Sequence, residues 1–208
     1  MAPQARKDGE ETRRRLLEAA CQVFGEKGYR DATNAEVCEK AGANIAAINY
    51  HFGSKQALLE AILDRFFVNL YSVAEEILTG EDPPELKLRL YFRSVISVFR
   101  KHPDLVRIAI TELPYDMPGI VQFKADRVTR MLGLVAAHVL PALPEEVRKR
   151  IRLEVIGPAI VGMLTFHFLM RPVIQNAFQI NFDSSFYENY ADELADVFMH
   201  GVFREVQP

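Results

Sequence analysis

The side chains best suited to bind a metal or attack a substrate are spaced for neither task. His102, His138, His167 and His200 do not fall at ligand spacings such as H-E-x-x-H. Cys21 and Cys38 form no metal-binding or redox pair, and they read as buried free thiols. There is no glycine-rich phosphate loop and no nucleophile elbow. His138 or His167 would meet Glu112 or Glu154 as an acid–base pair only by an accident of folding. The chain is therefore expected to have no catalytic residue, no metal and no cofactor. Hydrogen-bonding groups concentrate elsewhere. Asn44, Asn49, Tyr50, His51 and Lys55 crowd into one short stretch around Ala46 and Ala47. Amides, a phenol, an imidazole and an ammonium at that density suit recognition of a polar surface.

Such a stretch needs elements that hold it outward. Leu16, Leu17, Ala20, Val23 and Phe24 recur at three- and four-residue steps, so a first helix is expected from Asp8 or Thr12 to Lys27, stopped by Gly28. Thr33 with Glu36 three residues on spells a capping box, and Val37, Cys38 and Ala41 give the short second helix an apolar face. Gly42 ends it. Asn44 is a good cap for a third helix over 45–52, Gly53 stops that one, and Ser54 caps a long fourth helix to about Leu78. Short helices joined by a glycine-containing turn make a helix-turn-helix unit.

Stepping ~100° per residue from Ile48 puts Ile45 and Phe52 on the same side, the expected packing face. Ala46, Ala47 and Tyr50 fall opposite, flanked by Asn49 and His51. Small outward residues allow a helix to lie deep in the major groove of DNA, where alanine methyls can touch a thymine methyl and Asn49 can pair with a base edge. Tyr50 can pack on a base or reach a phosphate. His51 and Lys55 fall near the rim, where phosphates lie. The free N–H groups opening the second helix, beside Thr33 and Asn34, can hold another phosphate. The triple arginine Arg13-Arg14-Arg15 reads either as a solvated face or as a phosphate contact by Arg13 or Arg14.

The run Ala41-Gly42-Ala43-Asn44-Ile45-Ala46-Ala47-Ile48-Asn49-Tyr50-His51-Phe52-Gly53-Ser54-Lys55 strongly resembles the DNA-binding signature of TetR-family regulators. Thr12-Arg13, the segment Phe24-Gly25-Glu26-Lys27-Gly28-Tyr29, and Thr33 look like that family too, so the resemblance covers roughly residues 10–60. It implies DNA contacts at Thr33, Asn44, Ala47, Asn49, Tyr50, His51 and Lys55. Asn49 departs from it, standing where many members have tyrosine. The resemblance implies an all-α protein: a three-helix DNA-binding domain over 1–56, and a ligand-binding and dimerisation domain over 57–208 reached through the long fourth helix. It also implies a homodimer on a palindromic operator, most often a repressor released by a small molecule.

The second part carries no motif. Helices are expected over 84–101, 103–113, 119–140, 144–170 and 184–206, with Pro158 predicting a kink or boundary. The last two hold more apolar surface than one bundle needs, Phe186, Tyr190, Phe198 and Phe203 among it, and a four-helix bundle between two copies would bury it. Phe99, Met117, Met131 and Met163, with the polar groups of Glu112, His138 and His167, are the candidate lining of a pocket for a largely hydrophobic effector. Net charge is −3, and through Lys55 nine Lys/Arg face eight Asp/Glu, so a local basic rim must carry any phosphate binding. No uninterrupted apolar run reaches the ~18 residues of a membrane span, and the polar start lacks a secretory signal, so no membrane association and a cytoplasmic location are expected.

Overall fold

The computed structural model describes residues 3–200, with side chains from Lys7 onward. Among these residues the chain is all α: α1 (Pro3–Lys27), α2 (Asn34–Ala41), α3 (Ala46–Phe52), α4 (Lys55–Leu78), α5 (Pro84–Lys101), α6 (Pro103–Ile110), α7 (Pro118–His138), α8 (Glu145–Arg148), α9 (Leu153–Phe178) and α10 (Ser184–His200), with a 3₁₀ turn at Leu140–Ala142. The expected last helix over 184–206 is described only to His200; its end, with Phe203, lies outside the described residues.

The punctuation residues act as read. Gly28, Gly42 and Gly53 all take positive φ, a region that costs glycine nothing. Two boundaries differ. The helix expected over 144–170 is broken at 149–152, where Arg152 is extended, and α9 then continues to Phe178. The stretch 144–150 is exposed throughout and offers no apolar stripe to keep one helix continuous. Pro158 makes no boundary; it and Pro172 lie inside α9, each removing one backbone hydrogen bond.

Contacts divide the chain into two compact units, Met1–Val68 with His102–Asp126, and Asn69–Lys101 with Arg127–Pro208. The first unit thus includes α6 as well as the helices read as DNA-binding. Leu16 and Phe24 of α1, Val37 of α2, Ile48 of α3, Leu58, Leu59 and Ile62 of α4, and Ile108 of α6 are fully buried in it. At ~1.5–3 kcal/mol for each large apolar side chain, that burial is what holds the short α2 and α3 in place. The α6 segment fits closely on the end of α1. A Cβ on Gly28 would stand 2.7 Å from Glu112 Oε2 and one on Gly25 3.3 Å from Asp104 Cβ, while Arg30 pairs with Asp116.

In the second unit Phe92, Val95, Ile96 and Phe99 of α5 face the interior with Leu164 of α9 and Tyr187, Ala191 and Ala195 of α10. Arg93 Nε donates to Asp192 Oδ1 at 3.0 Å, and Arg89 pairs with Asp196, tying α5 to α10. Lys87 is buried, and its ammonium donates to the Leu78 carbonyl at 2.9 Å, satisfying an orphan acceptor at the end of α4. Among the described residues one helix, α9, is long and apolar enough to cross a membrane by length and composition.

Candidate nucleic-acid interface

α2 sets the geometry because its start is fixed by side chains. Thr33 Oγ1 accepts from the Glu36 N–H at 3.2 Å, and Glu36 Oε2 accepts from the Thr33 N–H at 2.8 Å. Lys27 also donates to Glu36, and that bond, with those from Thr33, holds its carboxyl down at about 2. Glu36 therefore stays ionised at the positive end of the helix, where a negative charge is favoured. Within the first turn the box uses the N–H groups of Thr33 and Glu36, leaving those of Asn34 and Ala35 for an anion from outside.

Gly42 turns the chain at φ +59, its N–H returning to the carbonyls of Cys38 and Glu39. Asn44 Oδ1 then accepts from the Ala46 N–H at 2.9 Å, so it caps α3 as expected even though the helix opens one residue later. Ile48 anchors α3 with no exposed surface. The expected partnership of Ile45 with Ile48 fails, because Ile45 is 61% exposed. It precedes the first turn, and side chains tilt toward a helix's N-terminus, so it projects past the end of α3 and away from the core.

Opposite Ile48, Ala46, Asn49 and Tyr50 are exposed, and Ala47 and His51 are half-buried. Tyr50 is 75% exposed, and its ring meets His51 edge to face at 4.9 Å. A phenol held out from a helix with two alanines beside it adds nothing to packing. It makes a protruding polar tip flanked by low ground.

Lys55 lies differently from its reading as a rim cation. Its ammonium donates to the carbonyls of Arg30 and Ala32 and sits 4.6 Å from the centre of the Tyr29 ring. Burial lowers its pKa. This lysine braces the loop that delivers Thr33 to α2. The local sequence gave no sign of this, because the partners are backbone carbonyls more than twenty residues away.

The seven pocket candidates are divided between the two compact units. Glu112 and Met117 belong to the first unit, and Phe99, Met131, His138, Met163 and His167 to the second. Phe99 is buried against Phe168, Met131 packs on the cluster of Ala74, Leu78 and Leu134, and His138 is exposed at the end of α7. Met163 and His167 do share a cavity of about 430 Å³, with Phe166, Phe178, Phe182, Phe186 and Tyr190. Its walls are almost wholly apolar, and they come from α9, α10 and the turn between them. His167 Nε2 lies 2.9 Å from the Tyr187 hydroxyl, and the imidazole stacks on Phe186. Burial, then the nearby Arg171, lowers its pKa, and the ring sits in an aromatic cluster with Phe182, Phe186 and Tyr190. The aromatic density of residues 182–190 was the available signal. Cys38 is buried and Cys21 half-buried, both as free thiols, and burial raises the Cys21 thiol to about 12.

Comparison with known proteins places this geometry among regulators. The family described as "Bacterial regulatory proteins, tetR family" matches residues 16–62, which takes in the helix-turn-helix and the start of α4. The HTH-type transcriptional repressor NicS of Pseudomonas putida is 28% identical over 101 residues, covering 49% of this chain and 48% of that protein. The uncharacterized HTH-type transcriptional regulator YdgC of Bacillus subtilis is 27% identical over 171 residues, covering 78% and 83%. Across several other curated relatives the chain spans only 30% to 52% of their lengths. Among solved structures, the transcriptional regulator FadR of Bacillus subtilis in complex with stearoyl-CoA matches with a TM-score of 0.71 at 15% identity, covering 90% of this chain and 98% of that one. At that identity the likeness is one of fold.

Proposed function

We propose that the chain, whose residues 16–62 match the TetR family of transcriptional regulators, is a ligand-responsive repressor that binds a palindromic operator as a homodimer. In this reading it is a DNA-binding protein and not an enzyme, as the regulators it resembles suggest. The observation that carries the proposal is the outward face of α3, with Tyr50 three-quarters exposed above Ala46 and Ala47 on a helix anchored by Ile48. In this reading Asn49, Tyr50 and the alanines meet base edges. Thr33, Asn34, Asn44 and His51 meet the backbone. Such a protein works in the cytoplasm.

One α3 reads only a few base pairs, so a second copy is needed. The apolar face of α9 and the turn after it supports this. Phe166 is 59% exposed, Phe178 71% and Val173 56%, and the two phenylalanines line an open apolar cavity. A partner's side chains would fill that cavity. Lipid is a poorer cover, because the charged side chain of Arg171 is exposed on the same helix.

Selection of bound duplexes from a random pool tests the reading. Inverted half-sites one helical turn (~34–36 Å) apart, or a multiple of that, are expected, and a pool with no enrichment overturns it. The proposal also gives Lys55 a bracing role. Lys55→Met is expected to lower stability by about 1–3 kcal/mol and to weaken operator binding while leaving the salt dependence of binding as in wild type. A shallower salt dependence would instead make Lys55 a phosphate contact.

For the effector, a largely hydrophobic molecule is proposed, and the stearoyl-CoA bound by a protein of the same fold makes an acyl thioester the first probe. A second reading, a constitutive DNA binder, is favoured by the closed packing of Phe99 and Met131 and by the position of the cavity on the face assigned to the partner. A rise in melting temperature with stearoyl-CoA supports the first reading. No rise with any long-chain acyl probe supports the second.

A further inference from the structure

We infer that Arg13 and Arg15 form a pair of phosphate clamps, one at each end of α3, while Arg14 between them takes no part. This rests on the DNA-binding reading above and names which basic groups make it work on an acidic chain.

The argument begins with the helical wheel. The buried stripe of α1 runs through Leu16, Ala19, Ala20 and Val23. At ~100° per residue, Arg13 falls on one shoulder of that stripe, Arg15 on the other, and Arg14 diametrically outward. The observed contacts follow this division. Arg13 holds its guanidinium 4.9 Å above the ring of Phe52, the last residue of α3. Arg15 reaches the turn before α3, its Nη1 standing 3.5 Å from where a Cβ on Gly42 would lie, and its Nη2 donates a long hydrogen bond to Thr12 Oγ1 at 3.4 Å. Both side chains are exposed.

Charge pairing separates them further. Arg14 donates to Glu18 at 2.7 Å and twice to Glu11, so its charge is neutralised on its own helix. Lys27 is held by Glu36, Lys40 by Glu26 and Arg30 by Asp116. Lys55 is turned to backbone carbonyls. Among the described residues neither Arg13 nor Arg15 makes a close ion pair with a carboxylate; Glu11, which attracts Arg15 from one turn away, is itself bonded to Arg14. A seven-residue helix is about 10 Å long, close to the ~12 Å width of the major groove. Cations at its two ends therefore face the two walls of phosphates when its middle faces the bases. Phe52 fixes one of them from below as a cation–π platform.

The test is the salt dependence of binding to a random-sequence 30-base-pair duplex, which needs no knowledge of the operator because phosphate contacts are sequence-independent. Glutamine variants keep the stem and remove the charge. R13Q and R15Q should each flatten the slope of log K against log salt by ~0.9 per subunit, and R14Q should leave it unchanged. Arg13→Lys, which keeps the charge, should restore the slope, with circular dichroism checking that all variants keep their helicity. Wild-type slopes in R13Q and R15Q, or an equal loss in R14Q, would overturn the inference while leaving the DNA-binding reading standing. Failure of the wild-type protein to bind any duplex at low salt would remove that reading, and the clamps with it.

Discussion

Replacing Phe166 and Phe178 together with glutamate is expected to yield a folded monomer. Both rings are more than half exposed in the isolated chain, so the change costs the protomer little. In a dimer assembled on α9 each would be covered, and each copy supplies two. At ~1.5–3 kcal/mol per fully buried ring, with roughly two thirds of each ring left to cover, the lost burial alone is about 4–8 kcal/mol, which is a ~10³-fold or greater rise in the dissociation constant. Buried carboxylates add to it. Sedimentation velocity should therefore show a wild-type dimer and a variant monomer at the same micromolar concentration, and the variant should lose tight binding to a palindromic site. A variant that stays dimeric would move the interface off this face.

Tyr50→Ala carries the second large effect. The residue is 75% exposed, so stability should hold within the ~0.5 kcal/mol typical of surface substitutions. Losing one base-edge contact per subunit at ~1–3 kcal/mol, twice over in a dimer, is expected to weaken operator binding by ~30-fold to ~10⁴-fold. Ile48→Ala is the counterpart. It empties a fully buried position and should cost ~2–5 kcal/mol of stability. The two substitutions, two residues apart, separate reading from holding. Equal operator affinity in wild type and Tyr50→Ala would remove the tyrosine from the interface.

These expectations owe much to what local chemistry makes legible. Thr33, Gly42, Asn44, Gly53 and Ser54 act through bonds within a few residues. Ser54 Oγ, for example, accepts from the Ala57 N–H at 3.0 Å, so the bounds of α2, α3 and α4 follow from sequence to within a residue. What depended on distant partners did not follow. Lys55 is claimed by carbonyls of another loop. Glu112 lies against Gly28 because α6 packs on α1, a pairing no periodicity encodes. Ile45 has the right wheel angle and the wrong end of the helix. The dispersed methionines show why composition alone overreads a pocket: Met131 is ordinary packing, and Met163 lines a face open to solvent.

The most direct measurement is site-specific photocrosslinking to a duplex recovered by selection. A benzophenone side chain placed at position 50 should crosslink to bases of the half-site. The same group at position 68, where Val68 is also more than half exposed on α4, should not. Crosslinks from position 68 with none from position 50 would mean that DNA meets another surface of the protein and that the exposed side of α3 does not read it.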